Sequence, residues 1–180
     1  FLLGGTAGRT TLNGEGLQHQ DGHSLLAAAA TPNIKAYDLA YAYEISTVIQ
    51  VGIKEMVEEN KDVIYYLTLE NQNYVHPAMP KNIEKEVLKG LYKVVDNKKA
   101  SVQLFGSGPL LTEALAAAEL LKKDWGVESS VWSVTSYSEL RREAEEVDRW
   151  NQNHPKENIK KSFLNDSLES VYTPIVAVTD

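Results

Sequence analysis

The sequence predicts an α/β fold in two lobes, each built on parallel strands, and three observations carry that prediction. Short β-branched and aromatic runs alternate with longer amphipathic ones, so a strand–helix–strand order occurs twice. Hydrophobic residues make up 43% of the chain, and with eleven glycines this is the composition of an ordinary globular core. The 180 residues, at about 150 per domain, correspond to between one and two domains.

The elements follow in order. Residues 1–22 hold Gly4, Gly5, Gly8, Gly14, Gly16 and Gly22 among varied polar side chains, a pattern of neither strand nor helix. Long loops in compact chains commonly carry function. Ile34–Tyr37 reads as a first strand, and Asp38 as the cap of a helix with Tyr41, Ile45, Val48, Ile49, Gly52, Ile53 and Met56 on one stripe, ending near Asn60. Val63–Leu69 reads as a buried strand. Residues 70–100 break the alternation with Asn71, Asn73, Pro77, Pro80 and Asn82, a short helical piece at 83–91 and a charged run at 93–99. A domain boundary is placed there. The second alternation comprises a strand at 102–105, the turn Gly106-Ser107-Gly108, and a helix from Pro109 that Gly126 ends. A strand at 131–135 and a helix from Ser138 to about Trp150 follow, and Ile175–Val178 is again strand-like.

Composition excludes several classes. Eighteen basic against twenty-five acidic residues give a formal charge of −7 and a pI near 5.2, which leaves no basic field for nucleic acid. The apolar run Leu25–Ala30 falls far short of the roughly 18 residues a membrane helix requires, so no membrane partner is expected. Cysteine is absent, which removes disulfides and thiolate metal sites. Without a basic n-region no signal peptide is read, and the expected location is cytoplasmic. A chain opening on Phe1 and stopping just behind an apolar run reads as a piece of a larger protein.

Gly106-Ser107-Gly108 does not complete a dinucleotide fingerprint: the sixth position is Leu111, and Pro109 removes a backbone donor, so the turn reads as structural. His76 and His154 each lack a second ligand at metal spacing and read as packing residues; Tyr37 and Tyr41 read as core. The run from Asn13 to Ser24 differs. Glu15, His19, Asp21 and His23 fall within nine residues, threaded between glycines that allow close approach to a ligand. Zinc binding by His19, Asp21 and His23 is one reading, general acid–base chemistry a second, and a solvated glycine loop a third.

The segment from Gly4 to His19, with Gly14-Glu15-Gly16-Leu17-Gln18-His19 at its end, resembles the homodimeric bacterial pyruvate dehydrogenases, the thiamine diphosphate-dependent decarboxylating components of the pyruvate dehydrogenase complex. Asp38–Glu44, Asn73-Tyr74, Pro77–Pro80, Gln103-Leu104 with Gly106–Gly108, Ser133–Ser136, Arg149–Asn151 and His154-Pro155 extend the resemblance over nearly the whole chain. It implies two partial thiamine-enzyme (transketolase-like) domains with parallel sheets. Residues 1–75 would be the C-terminal half of the pyrimidine-binding middle domain, 76–100 a linker, and 101–180 the N-terminal half of the C-terminal domain. The implied activity is oxidative decarboxylation of pyruvate, with reductive acetylation of the lipoyl group on the acetyltransferase component. The implied cofactors are thiamine diphosphate and Mg²⁺, both held mainly by segments earlier in such chains, so that the stretch by itself would be inactive. No metal ligand is assigned in this chain. By resemblance Glu15 and His19 are catalytic and face the pyruvate-derived carbon, while Asp21 and His23 match a substrate-contacting Asp-Gly…His pair in transketolase relatives. A family glutamate near position 20 is Gln20 here. Another thiamine-dependent 2-oxo-acid dehydrogenase, a transketolase relative, and a non-catalytic α/β interaction module are the alternatives.

Overall fold

The computed structural model describes residues 21–69, 73–169 and 171–179. Its first lobe is a parallel pair, β1 (Ile34–Asp38) and β2 (Ile64–Thr68), in register from Ile34 opposite Ile64 to Asp38 opposite Thr68. The connection is α2 (Ala42–Ile53), which runs on into a π-helical turn at Lys54–Glu58. Val48 on α2 is fully buried, and Gly52 lets the Tyr65 ring lie against the helix, since a Cβ there would stand 3.2 Å from ring carbons. The expected apolar stripe is split: Ile49, Ile53 and Met56 face outward.

The sequence assigned Asp38 as the cap of this helix, and the structure corrects that. Asp38 is the last residue of β1, and Glu44 three residues into α2 reaches back to the N–H groups of Ala40 (2.6 Å) and Tyr41 (3.0 Å). A first-turn glutamate satisfies orphan amides as a reciprocal cap does, and the helix therefore starts a turn later than the aspartate suggested. A short α1 (Ser24–Ala29) precedes β1, inside the run noted for its apolar side chains; Asp21 accepts from Ser24 N–H at 2.9 Å and from the Ser24 hydroxyl.

The second lobe is a four-stranded sheet in the order β3 (Tyr92–Val95), β5 (Ser129–Ser133), β4 (Val102–Gly106), β6 (Ile175–Val178). β4 is parallel to both its neighbours, and β3 is an antiparallel edge. β3 falls within the stretch read as linker, where its Lys93 and flanking charges hid the apolar Tyr92, Val94 and Val95. It follows α3 (Glu84–Lys89), which Gly90 ends at φ +105 in the left-handed region. α4 (Leu110–Trp125), α5 (Tyr137–Asn153) and a short α6 (Phe163–Ser167) complete the lobe. Leu111 and Val131 are fully buried between α4 and the sheet, each contributing roughly 1.5–3 kcal/mol by burial.

The two sheets meet at the carboxyl ends of their strands. Asp38 N–H donates to Thr135 C=O at 2.8 Å, and Gly108 N–H donates to Asp38 C=O at 3.2 Å. The Ser136 and Ser138 hydroxyls donate to Ala36 C=O at 2.5 and 3.1 Å. Among the described residues no helix is long and apolar enough to cross a membrane.

Candidate active-site cleft

A cavity of about 340 Å³ opens where the strand ends converge. α1 supplies one wall with Leu25, Leu26 and Ala29, Ala36 and Asp38 of β1 form the floor, and the start of α5 supplies the opposite wall through Ser136, Tyr137 and Ser138. Crevices outside the carboxyl ends of parallel strands are where α/β folds bind ligands, because loops rather than ladder hydrogen bonds occupy that edge. Gly22 lines the cavity, and its sequence neighbours Asp21 and His23 are not among the lining residues. The Asp21 carboxylate also accepts from His23 N–H at 3.2 Å, so it shapes the turn that starts α1, and the His23 ring is exposed. Glu15 and His19 lie outside the described residues.

The walls are polar at one end and apolar at the other. Ser136 caps α5 by accepting from Glu139 N–H at 3.1 Å. Arg141 points along the rim and is paired with Glu145 at 2.6 Å. Burial, then the negative charge of Asp38, raises the Tyr137 phenol above its ordinary pKa, so it stays protonated as a donor. Asp38 is itself 5% exposed and accepts the Thr68 hydroxyl at 2.5 Å.

Behind the cleft lies a second buried carboxylate that the sequence did not flag. Glu44 is fully buried; besides the two amides it accepts the Tyr92 hydroxyl at 2.6 Å and the Ser133 hydroxyl at 2.7 Å. Burial pushes its pKa up, and these hydrogen bonds pull the other way. Tyr43 and Tyr92 share a 2.6 Å hydroxyl contact; burial raises both, Tyr43 to about 12. The network ties α2 to β3 and β5. The available signal was a lone acid between Tyr43 and Ile45 six residues beyond β1, and nothing local separates it from a surface glutamate in a first helical turn.

His76 accepts Ala42 N–H at 2.9 Å and stacks on Tyr74, and His154 stacks on Trp150. Tyr37 and Tyr41 are buried. Gly106 packs against α4 and Gly108 against Asp38, where a Cβ would stand 2.7 Å from Leu111 Cα and 2.6 Å from Asp38 Oδ1. Among the described residues no group of three His, Asp or Glu side chains converges to hold a metal ion.

Comparison with known proteins decides between the classes this geometry permits. Residues 1–77 match the model of the pyruvate dehydrogenase E1 component middle domain, and residues 90–180 match the transketolase-like C-terminal domain. The pyruvate dehydrogenase E1 components of Pseudomonas aeruginosa, Cupriavidus necator and Escherichia coli are 50%, 53% and 46% identical over the whole of this chain. The chain belongs to the pyruvate dehydrogenase E1 family. It spans 20–21% of the length of those relatives. A transketolase variant from Pichia stipitis superposes over 89% of the chain and 20% of its own with a TM-score of 0.63 at 23% identity. The transketolase of Leishmania mexicana does so over 90% of this chain and 23% of its own, at 0.58 and 19%. These establish a transketolase-like α/β fold, and E1 family membership makes the chain part of an enzyme lineage.

Proposed function

We propose that this stretch forms the substrate side of a pyruvate dehydrogenase E1 active site, serving the oxidative decarboxylation of pyruvate and reductive acetylation of the lipoyl group on a partner acetyltransferase. One observation carries the reading: identity of 50% and 53% to E1 components covers the whole of this chain, its 13–24 segment included. Thiamine diphosphate supplies the carbanion chemistry of such enzymes, through a diphosphate held by Mg²⁺. The described residues do not fit that role, since they gather no metal-ligand set and the glycine turn after β4 is filled by Asp38. No step is therefore routed through the cofactor here.

What the chain's residues would do is narrower. His19 donates to the carboxylate or hydroxyl of the pyruvate-derived group, Glu15 manages a proton beside it, and Asp21 with His23 shapes the entrance. The apolar wall of Leu25, Leu26 and Ala29 suits a small methyl-bearing acid rather than a sugar phosphate. A homodimeric assembly in the cytoplasm, within the multienzyme complex that drains glycolytic pyruvate, follows from the same reading.

The test is a chimera in which this chain replaces the matching fifth of the Escherichia coli E1 component. With thiamine diphosphate bound, it should decarboxylate pyruvate and acetylate lipoyl acceptors, and discriminate against 2-oxoglutarate and ketose phosphates. A cofactor-loaded chimera that prefers either competitor would assign the stretch to another thiamine enzyme. Normal cofactor binding without any turnover would favour the interaction module.

A further inference from the structure

Asp38 is one of the residues at which the two lobes meet. Asp38 closes β1 and uses its backbone twice, donating to Thr135 C=O after β5 and accepting from Gly108 N–H after β4. Its side chain seats against Gly108, whose φ is +51; a Cβ there would stand 2.6 Å from Asp38 Oδ1 and 3.0 Å from its carboxyl carbon. The same Oδ1 accepts the Thr68 hydroxyl of β2. One buried residue thus touches both strands of the first sheet and both loops of the second.

The cleft lies directly across this seam. α1 packs on β1 and belongs to the first lobe; the facing wall, Ser136–Ser138, belongs to the second. Interdigitated packing does not deform continuously, so a shift at the seam moves one wall against the other. We infer that Asp38, seated against Gly108, is a positioning residue that sets the width of the 2-oxo-acid cleft. The inference rests on the functional reading above, and assigns to Asp38 no contact with the reacting atoms. Packing is what the seam uses: the Asp38 carboxylate fills the space beside Gly108, and Gly108 supplies both the missing side chain and the left-handed φ of +51.

A double-mutant cycle in the full-length enzyme tests this, with kcat/KM for the 2-oxo acid read beside the Kd of thiamine diphosphate. Gly108→Ala should lower kcat/KM about thirtyfold, chiefly through KM, whereas in an Asp38→Ala background the same change should cost several-fold less, because the collision is gone and only the strain of alanine at a φ of +51 remains. Asp38→Asn keeps the shape and should recover most of what Asp38→Ala loses in kcat/KM. Additive losses would overturn the inference, as would a cofactor Kd that rises in step or an Asp38→Asn variant no better than Asp38→Ala. Amide hydrogen exchange at residues 38 and 108 reads the seam without substrate. It should quicken about tenfold in Gly108→Ala, and unchanged protection would sink the idea even if pyruvate proved not to be the substrate. An enzyme inactive on pyruvate but showing that coupling with another donor would refute the functional reading and leave the seam standing.

Discussion

Glu55 sits at the corner where the π-helical turn passes under β2, and it accepts from Lys35 at 2.7 Å, Tyr65 at 2.6 Å and Lys61 at 3.1 Å. Burial alone would raise its pKa; the three donors outweigh that and hold it at about 2, below the ordinary 4.5. A depressed carboxylate stabilises the fold above its unfolded pKa and loses that contribution as pH falls through the folded one. Stability should therefore drop between about pH 4.5 and 2 by roughly 1–2 kcal/mol from this group, allowing for solvent screening at half-exposed Lys61. Urea titrations of the parent and Glu55→Gln at several pH values would check it, since the gap between the two should close in acid. At Glu44 the expected effect is larger. Glu44→Ala strands the buried Ala40 and Tyr41 amides and should cost about 3 kcal/mol, whereas Glu44→Gln should cost less, because the Tyr92 and Ser133 hydroxyls can turn to accept. For the proposed catalytic pair, His19→Ala in the full-length enzyme should lower pyruvate turnover about a hundredfold while cofactor affinity holds. Glu15→Gln should move the pH–rate profile as well as the rate. Steady-state kinetics beside cofactor titration separates the two effects.

Ser136 shows what one residue can do for an element. Its hydroxyl accepts the Glu139 amide at the start of α5 and donates to Ala36 of β1, so it caps a helix and joins the sheets together. Ser136→Ala should cost about 1–2 kcal/mol in denaturant, above an isolated surface cap. That cap was nearly legible, since Ser138 was read as the opening residue two positions on. The long, strongly patterned elements were legible in general: β1, β2, β4, β5, α2, α4 and α5 each follow a β-branched run or an apolar helical stripe. What escaped was short or locally contradictory. β3 carries a lysine at its centre because its edge face is solvated, and α1 hides behind the glycine-rich segment. The site divided the same way. Residue chemistry drew attention to the segment around Asp21 and His23, whereas Asp38, Ser136 and Glu44 acquire their roles from partners some 30 to 100 residues away. No local pattern encodes such pairings.

At the scale of the whole molecule, apolar surface is left over. Ile53, Val57 and Ile64 in the first lobe, and in the second Tyr172 just before the outer strand with Ile175 and Val176 on it, are all exposed, Tyr172 at 91%. A two-stranded sheet has few means of its own to stay folded, and uncovered apolar faces associate. The 180-residue chain on its own should therefore self-associate in sedimentation velocity at micromolar concentration, and monodisperse behaviour with a sharp thermal transition would contradict this. The seam has a further consequence during synthesis. β1 leaves the ribosome well before its partners in the second lobe: the carbonyl that receives the Asp38 amide is Thr135, and β4 waits for Ile175–Val178 of β6 before its outer edge is paired. At about 5–20 residues per second, the nascent first lobe exists for several seconds with its carboxyl edge open. Slow codons placed between the two lobes would lengthen that interval, and with it the time open to chaperone capture.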